Sequence, residues 1–417
     1  MENSEHDFLF IGGLYPKDKI ESIIKNSKRG IQLAANNFQW DLVKGFDKNL
    51  KKPIKIINIM FLGSYPKNYT KMLIQGSEFS HSLHSKDVNL GFFNIPILKH
   101  FARAFKERGA IREWVKSDRS NKKMVFIYSL DPRFVRIVKL IKRYNSDITI
   151  CISINDLPEN IMLGKEHQSI IIRFWKSYNK LRVRHGLKYV DCFMIVTRQI
   201  ADKLKLGNRP YVIIEALKDI ETYPPKYRPL NNDNIKRVVY TGALIKKYGI
   251  INMLEAFVQI KGLDYQLLIS GDGSAKDSVI DYSKKDTRIK YLGVLSPDQT
   301  LLLQTKATVL VNPRQNTEDY TKYSFPIKNL EYLLSGNPVI CYKLDGVPDE
   351  YDRYLLYVND NSVNALKDKI IEVCQMETKQ RNLIGDKGRQ FVFEKKNVQY
   401  QTKKIIDMMG NYNNKET

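Results

Sequence analysis

The sequence predicts an α/β protein with two Rossmann-like domains, each built on a doubly wound parallel sheet. Three observations support this prediction. The chain has 417 residues, which is too long for one hydrophobic core and suits two domains. Short apolar segments alternate with segments of helical spacing, and such alternation builds parallel sheets. A stretch rich in proline and asparagine, TYPPKYRPLNNDN at residues 222–234, has the composition of a linker between domains.

Net charge differs between the two predicted domains. The chain carries a formal net charge of +23. Residues 1–230 hold 41 Lys or Arg against 22 Asp or Glu, a net +19, which leaves a net +4 for residues 231–417. The densest basic stretch, residues 99–143, is interleaved with the aromatic residues Phe101, Phe105 and Trp114. This pattern suits an anionic lipid surface and could also suit nucleic acid; a solvated basic face is the alternative.

Cysteine usage and hydropathy indicate a cytoplasmic protein. The four cysteines are widely spaced inside apolar segments, which suits reduced core residues: Cys151, Cys192, Cys341 and Cys374. The first residues, MENSEHDFLFIGG, lack the basic and apolar regions of a signal peptide. No stretch reaches the ~18 apolar residues of a transmembrane helix.

The first domain, residues 1–228, begins with an apolar strand at residues 8–11 that ends in Gly12 and Gly13. Two glycines after a strand are typical of a phosphate-binding loop, although they are usually just a turn. Helical spacing follows from about Gly30. The alternation then predicts strands at residues 54–62, 124–128, 148–154, 192–196 and 212–214, and helices at residues 132–144, 170–186 and 198–206.

Residues 68–94 are polar and irregular, and we interpret them as a long loop near an acceptor. His81 and His84 in this loop could pair on a metal ion. Two histidines without a third ligand are more often solvent-facing, and the sequence favours that interpretation.

Asp156 is the acid/base candidate of the first domain. It follows a predicted strand directly and so lies at the carboxyl end of a parallel strand, where open α/β sheets bind their ligands. A carboxylate before Pro158 can equally be an ordinary turn or helix N-cap residue. Both interpretations stay open.

The second domain, residues 229–395, repeats the alternation. It predicts strands at residues 237–240, 265–270, 289–293, 308–312 and 339–341, a helix at residues 250–260, and helices that start at Ala365 and Lys379. Ser296-Pro297-Asp298-Gln299 is a capping box that starts a helix over residues 301–307. A last helix covers residues 397–409, within the terminal segment 396–417.

The stretch YTKYSFPIKNLEYLLSGNPVIC, residues 320–341, combines a loop, a helix and a buried strand. Pro326 suits the first helical turn, and Gly336 ends the helix. A helix N-terminus binds anions, and Ser324 and Lys328 are suitable neighbours for a phosphate. Glu331, further inside the helix, can accept hydrogen bonds from sugar hydroxyls. A phosphorylated sugar or the ribose of a nucleotide fits these residues; an ordinary Rossmann helix with a chance carboxylate is the alternative.

The sequence FPIKNLEYLLSGNPVI resembles the donor-site helix of glycosyltransferase family 4, the retaining GT-B enzymes, in the branch with P-x-K-x-x-E-Y. The resemblance implies two Rossmann-like domains that face each other across a cleft, and a final helix that returns to the first, acceptor-side domain. In the family two glutamates eight residues apart contact the transferred sugar and the donor ribose. Glu331 matches the second, whereas the first falls on Tyr323. Ala243 and Tyr248 stand where the family has the arginine and lysine that hold the diphosphate.

The resemblance also implies a set of site residues. Asp156, Lys328 and Glu331 are the candidate catalytic residues. Lys246 or Lys247 would replace the missing arginine and lysine at the diphosphate. The candidate donor-binding residues come from the loops and turns that match the family: Gly12, Gly13, Gly242, Lys246, Lys247, Gly271, Gly293, Val294, Tyr323, Ser324, Phe325, Pro326, Lys328 and Glu331.

The implied function is the transfer of a sugar from a nucleotide sugar to a glycan or lipid-linked acceptor in bacterial surface polysaccharide synthesis. The configuration at the anomeric carbon is retained, and the expected donor is UDP-linked. We expect no cofactor besides the donor and no metal, since no D-x-D clamp occurs. An anionic membrane surface is the expected partner, and nucleic acid is not. A catalytically silent GT-B protein that binds sugar or a partner glycosyltransferase is the alternative.

Overall fold

A computed structural model describes residues 6–28, 31–96, 98–117, 122–157, 177–178, 181–221, 223 and 234–413. The chain divides into two compact units. Met1–Asp219 and Val398–Thr417 form the first, and Ile220–Asn397 form the second. The division after Asp219 precedes the predicted limit at residue 228. Tyr223 packs within the second unit, since the guanidinium of Arg389 lies 5.5 Å from its ring. Most of the predicted linker and of the predicted helix at residues 170–186 lies outside the described residues.

The first unit is built around an eight-stranded sheet with the order β10-β9-β8-β7-β1-β2-β5-β4. All neighbours in this sheet are parallel except the β4–β5 edge pair, and β3 pairs with β6 separately. The strands are β1 (His6–Gly12), β2 (Lys55–Asn58), β3 (Leu73–Ile74), β4 (Ser77–Phe79), β5 (Asp87–Asn89), β6 (Phe92–Phe93), β7 (Lys122–Tyr128), β8 (Thr149–Ile154), β9 (Cys192–Ile195) and β10 (Tyr211–Ile213).

Helices cover this sheet, and aromatic side chains fill the space between them. Phe10 of the central strand stacks on Phe126 at 5.7 Å, and Phe46 packs against both rings. The helices of the unit are α1 (Ile20–Asn26), α2 (Leu33–Asn49), α3 (Leu98–Lys116), α4 (Phe134–Tyr144), α5 (Arg198–Leu204) and the C-terminal helix (Val398–Asn413). The C-terminal helix approaches α2 so closely that a Cβ on Gly45 would lie 2.4 Å from the carbonyl oxygen of Val398.

The second unit has the six-stranded parallel order β13-β12-β11-β14-β15-β16, which is the strand order of a doubly wound Rossmann fold. Strand order reverses between β11 and β14, the place where such sheets bind ligands. Its elements are β11 (Lys236–Thr241), α6 (Ile250–Val258), β12 (Tyr265–Ser270), α7 (Lys276–Lys285), β13 (Ile289–Tyr291), α8 (Pro297–Thr305), β14 (Val309–Asn312), α9 (Ile327–Ser335), β15 (Val339–Cys341), β16 (Leu356–Tyr357), α10 (Val363–Gln375) and α11 (Thr378–Lys395).

The predicted loop over residues 68–94 is wrong in part, because it contains four short strands and two of them extend the main sheet. Some of its polar side chains are buried and hydrogen-bonded. Asp87 accepts a hydrogen bond from the backbone of Ile56 at 2.8 Å, and Asn89 accepts one from Asn58 at 2.9 Å. Polarity therefore did not indicate exposure here, since buried polar groups are acceptable once they are hydrogen-bonded.

Two further predictions can be compared with the structure. The four cysteines are free and buried, as predicted. Among the residues that the structure describes, no helix is both long and apolar enough to cross a membrane.

Candidate functional site

Three glycines line the carboxyl edge of the second sheet. Gly242, Gly271 and Gly293 follow β11, β12 and β13, and each has a positive φ. A Cβ on Gly271 would lie 1.7 Å from the carbonyl oxygen of Gly242, and the Gly271 N–H donates to the carbonyl of Gly293 at 2.9 Å. Only glycine permits this approach of three turns. Glycine therefore leaves this edge without side chains at these three positions.

Helix α9 begins beside these turns. It starts at Ile327 after Pro326 and ends at Gly336, whose φ is 79°, as the sequence predicts. The hydroxyl of Tyr332 accepts from the N–H of Thr241 at 2.9 Å and lies 3.1 Å from its carbonyl. Asn329 accepts from Asn312 at 2.7 Å. These bonds hold α9 against the ends of both β11 and β14, so the helix lies at the reversal of strand order.

Lys328 points from the first turn of α9 over Gly242. A Cβ on Gly242 would lie 1.9 Å from both Cε and Nζ of the lysine. Loss of hydration on burial lowers the pKa of Lys328, and the charge of Glu331 opposes that change in part. The ammonium makes no hydrogen bond or ion pair with the residues that the structure describes. A desolvated cation of this kind is suited to an anionic ligand.

Glu331 lies three residues further along α9, on the same face as Lys328. Its side chain is half-buried. Burial raises the pKa of the Tyr223 hydroxyl, and the charge of Glu331 adds to this effect, so the phenol and the carboxylate are close. Glu331 has no hydrogen-bond partner in the described part of the chain and can accept bonds from ligand hydroxyls.

A buried arginine supports the loop before α9. Arg314 follows β14, and its Nη2 donates to the hydroxyl of Ser324 at 2.9 Å. The guanidinium lies 5.3 Å from the ring of Tyr248 and 4.7 Å from that of Tyr320. Its Nε is buried without a hydrogen-bond partner among the described residues. The sequence prediction missed Arg314, although a cation directly after a buried strand was a signal for it.

The other residues of this loop contribute mainly to its shape. The Ser324 hydroxyl also lies 3.2 Å from the carbonyl of Tyr320, so contacts within the protein occupy it on two sides. Phe325 is buried against Tyr351, with ring centroids 5.1 Å apart, and Pro326 is buried as well. Tyr323 is half-buried.

The remaining donor-side candidates of the second unit are exposed. Lys246 and Lys247 lie in the turn after β11, and Lys247 forms an exposed ion pair with Glu318 at 3.4 Å. Val294 is 73% exposed next to Gly293. The structure thus brings Gly242, Gly271, Gly293, Lys328 and Glu331 together, whereas Lys246 and Lys247 stand at the surface.

Gly12 and Gly13 belong to the first unit, at the end of β1. The N–H of Gly13 donates to the side chain of Gln39 at 2.8 Å, and the next two N–H groups donate to Asn58 and Asn36 at 2.7 Å. A Cβ on Gly13 would lie 2.3 Å from the ring of Phe61. Packing therefore explains this glycine, and side-chain amides already occupy the N–H groups of the turn.

Asp156 also belongs to the first unit. It lies in a bend two residues after β8 and is exposed, which agrees with its predicted place at the carboxyl edge of the sheet. Its predicted role as an acid or base stays a prediction.

The interpretation of His81 as solvent-facing is wrong. Its ring is buried, with Nδ1 2.6 Å from Asp87 and Nε2 2.8 Å from Asp47; His84 is exposed. The two carboxylates pair with the imidazole, which makes burial possible. The described residues contain no group of three side chains placed to hold a metal ion.

Arg103, in the basic stretch at residues 99–143, does not face solvent. Arg103 is 6% exposed, because α3 turns this face towards the sheet and its guanidinium stacks on Phe92 at 3.8 Å. Three other basic residues of α3 in the same stretch are exposed: Lys106, Arg108 and Arg112.

A family of known proteins matches most of the second unit. Residues 226–391 match the model of a family described as glycosyl transferases group 1. The match covers the sheet edge, Lys328 and Glu331. No curated protein sequence matches the chain significantly.

Solved structures resemble the whole chain. Sucrose-phosphate synthase from Thermosynechococcus elongatus has a TM-score of 0.61 at 13% identity, over 97% of this chain and 100% of that one. HepE from Anabaena, solved in complex with UDP, has the same score, identity and coverage. The lipopolysaccharide outer core galactosyltransferase WaaB has a TM-score of 0.59 at 15% identity, over 97% and 99%. Since these neighbours are GT-B proteins, the predicted GT-B fold is confirmed.

Proposed function

We propose that the chain is a retaining glycosyltransferase that takes a sugar from a nucleotide sugar, UDP-linked by preference, and needs no metal ion. The acceptor is a glycan or a lipid-linked oligosaccharide of a bacterial surface polysaccharide. The match of the second unit to glycosyl transferases group 1 supports the reaction class. A complex of a structural neighbour with UDP supports the choice of nucleotide.

The position of Lys328 carries the proposal. A desolvated ammonium lies over a bare glycine turn, at the N-terminus of a helix, where strand order reverses. Each of these features favours a diphosphate. In the proposed reaction the lysine and the helix N-terminus stabilise the charge that grows on the leaving diphosphate. Glu331 accepts hydrogen bonds from the ribose. The acceptor hydroxyl attacks on the face that the diphosphate leaves, and the leaving diphosphate takes the proton of that hydroxyl.

Arg314 is our candidate for the second cation of the diphosphate site. The family's arginine and lysine are replaced by Ala243 and Tyr248, and the guanidinium of Arg314 lies against the ring of Tyr248. It also holds Ser324 two residues before Pro326. No carboxylate of the described residues neutralises this buried guanidinium, so its charge is available to a ligand.

The first unit is proposed to hold the acceptor and to approach an anionic cytoplasmic membrane. Its net charge of +19 through residue 230 supports attraction to such a surface. Phe105 is 81% exposed next to Lys106 on α3, which is the combination of apolar and basic side chains that interfacial helices use.

A catalytically silent GT-B protein that binds sugar or a partner glycosyltransferase is the second candidate. The observation that favours it is the loss of acidic and basic residues at Tyr323, Ala243 and Tyr248. In addition, an ion pair with Glu318 already engages Lys247.

A thermal-shift screen of the full chain against UDP-, GDP- and ADP-linked sugars tests donor binding. A ligand at a hundred times its dissociation constant adds about 2.7 kcal/mol to stability. We expect a UDP-sugar to raise the melting temperature and the Lys328→Met variant to lose most of that rise. If none of these nucleotide sugars stabilises the protein, the proposed donor site at Lys328 is ruled out and the catalytically silent protein becomes the better candidate.

A further inference from the structure

The first unit contains a second group of desolvated cations that the proposed donor site does not use. Lys99 and Arg103 lie four residues apart on one face of α3. Arg133 lies just before α4, which follows β7. We call these three residues the cation cluster.

The cation cluster lies at the carboxyl edge of the first sheet. Lys99 donates to the hydroxyl of Ser64 at 2.7 Å, and Arg103 donates weakly to the carbonyl of Met60 at 3.4 Å. Both partners belong to the segment that follows β2. Strand order in this sheet reverses between β1 and β7, and Arg133 comes a few residues after β7. Open α/β sheets bind ligands at such a place.

The acidic residues of this region pair with Arg133 alone. Asp131 binds its Nη2 at 2.6 Å and its Nε at 2.9 Å, and Glu107 lies 3.6 Å from its Nη1. Neither Lys99 nor Arg103 forms an ion pair with a carboxylate in the part of the chain that the structure describes. The five side chains together carry three positive and two negative charges when all are ionised.

Arg103 shows the lack of an anionic partner most clearly. It is 6% exposed, and its Nε is buried without a hydrogen-bond partner among the described residues. A guanidinium has five N–H donors, and the weak bond to Met60 satisfies one of them. An unsatisfied buried charge is costly, which favours an anion that would complete its contacts.

The protonation of the cluster agrees with a missing anion. Loss of hydration, together with the smaller effects of the charges of Arg103 and Arg133, lowers the pKa of Lys99 to about 8. Loss of hydration likewise lowers the pKa of Arg103 to about 9, with Arg133 acting in the same direction and Asp131 and Glu107 against it. A bound anion would relieve this repulsion.

We propose that Lys99, Arg103 and Arg133 form a binding site for a phosphoryl group of the acceptor. Three neighbouring cations, two of which have no carboxylate partner among the described residues, suit the three oxygens of a terminal phosphate better than the two oxygens of a carboxylate. The phosphate belongs either to a free sugar phosphate or to a lipid-linked phosphate. The identification of this phosphate as part of the acceptor rests on the proposed function. The anion site itself depends only on the geometry of the first unit.

Calorimetric titration of the full chain tests this site. The protein is first saturated with UDP, which occupies the donor site and reports whether that site exists. Inorganic phosphate, glucose 1-phosphate and a short polyprenyl phosphate in micelles are then titrated at constant ionic strength. We expect one of the organic phosphates to bind, and its identity distinguishes a free acceptor from a lipid-linked one.

Variants of the cation cluster give the decisive comparison. Lys99→Met and Arg103→Gln should each weaken phosphate binding at least about tenfold and leave the affinity for UDP unchanged. Lys25→Met, at an exposed lysine of α1 in the same unit, is the matched control and should bind phosphate normally. Lys99 is half-buried, so its variant remains informative even if Arg103→Gln fails to fold.

The result that overturns the proposal is phosphate binding of equal strength in Lys99→Met, Lys25→Met and the unchanged protein. Absence of binding for all three phosphates overturns it too. If the unchanged protein does not bind UDP, by contrast, that result counts against the donor site of the second unit and not against this one.

Discussion

The ammonium of Lys328 occupies the space that a side chain on Gly242 would need. A Cβ at residue 242 would lie 1.9 Å from Nζ, far inside van der Waals contact. The turn after β11 and the first turn of α9 are therefore matched to each other, and glycine at position 242 is what allows the lysine to reach over the sheet edge.

Gly242→Ala should displace Lys328 and reduce turnover at least about tenfold. The φ of 139° adds strain, of about 1–3 kcal/mol, so stability should fall as well. Gly207→Ala is the matched control because Gly207 also has a positive φ, 65°, but no atom lies within 4 Å of the place that an added methyl group would take. Steady-state kinetics of both variants separate displacement of the lysine from backbone strain; equal activity in the two would contradict the role of Gly242.

Glu331 and Lys328 should differ in which kinetic constant they change. Glu331→Ala removes a hydrogen-bonding carboxylate, so donor affinity should fall by ~1.5 to 3 kcal/mol with little effect on the fold. Lys328→Met should reduce kcat mainly, since charge on the diphosphate grows as the bond to the sugar breaks. Measurement of KM and kcat for both variants checks this. Normal constants in Glu331→Ala and Glu331→Gln would show that the site is assigned wrongly.

His81 should make stability depend on alkaline pH. Burial lowers its pKa, but hydrogen bonds to Asp47 and Asp87 outweigh this effect and raise the pKa to about 9. The pKa in the unfolded chain is ~6.5, so the stabilisation is complete below that pH and is lost as pH rises through about 9. The free energy of unfolding should fall by up to about 3 kcal/mol between pH 6.5 and 9.5.

Urea denaturation over this pH range measures the effect. His81→Gln should remove the alkaline loss, whereas His84→Gln, at an exposed position, should retain it. The same pH dependence in all three proteins would mean that the imidazole is neutral between its two carboxylates.

The exposed basic residues of α3 should bind anionic membranes. Replacement of Lys106, Arg108 and Arg112 by glutamine should weaken sedimentation with anionic vesicles by about 100-fold, since each basic residue near such a surface contributes about 1 kcal/mol. Binding of the unchanged protein should also decrease as salt rises.

Lys284, Lys285 and Lys290 provide a control of equal charge, because they are exposed in the second unit. Their replacement by glutamine should leave vesicle binding unchanged. Equal loss in both triple variants would show that net charge, and not the surface of α3, is responsible.

Sequence patterns predicted most of the second unit. The strand Tyr265–Ser270 has the predicted bounds, and the capping box at Ser296 and Gln299 is present. These features depend on local apolar periodicity and capping, which a sequence displays directly. Glycine turns and a lysine in the first helical turn likewise indicated the site near Lys328.

Features that depend on long-range pairing were missed. His81 is buried because Asp47, far away in the chain, reaches its ring, and Arg314 packs between Tyr248 and Tyr320 from two different segments. Arg103 appeared to belong to a basic surface, yet its helix turns it towards Phe92. A polar residue is buried or exposed according to partners that the neighbouring sequence does not contain.

Hydrolysis of a nucleotide sugar without acceptor tests the central claim most directly. A working donor site slowly releases nucleotide, whereas a silent GT-B protein binds without turnover. We predict that the full chain releases UDP from at least one UDP-sugar in a chelator-treated buffer, and that Lys328→Met lowers the rate at least about tenfold. No release from any nucleotide sugar that binds, or release at an equal rate in Lys328→Met, would contradict the account.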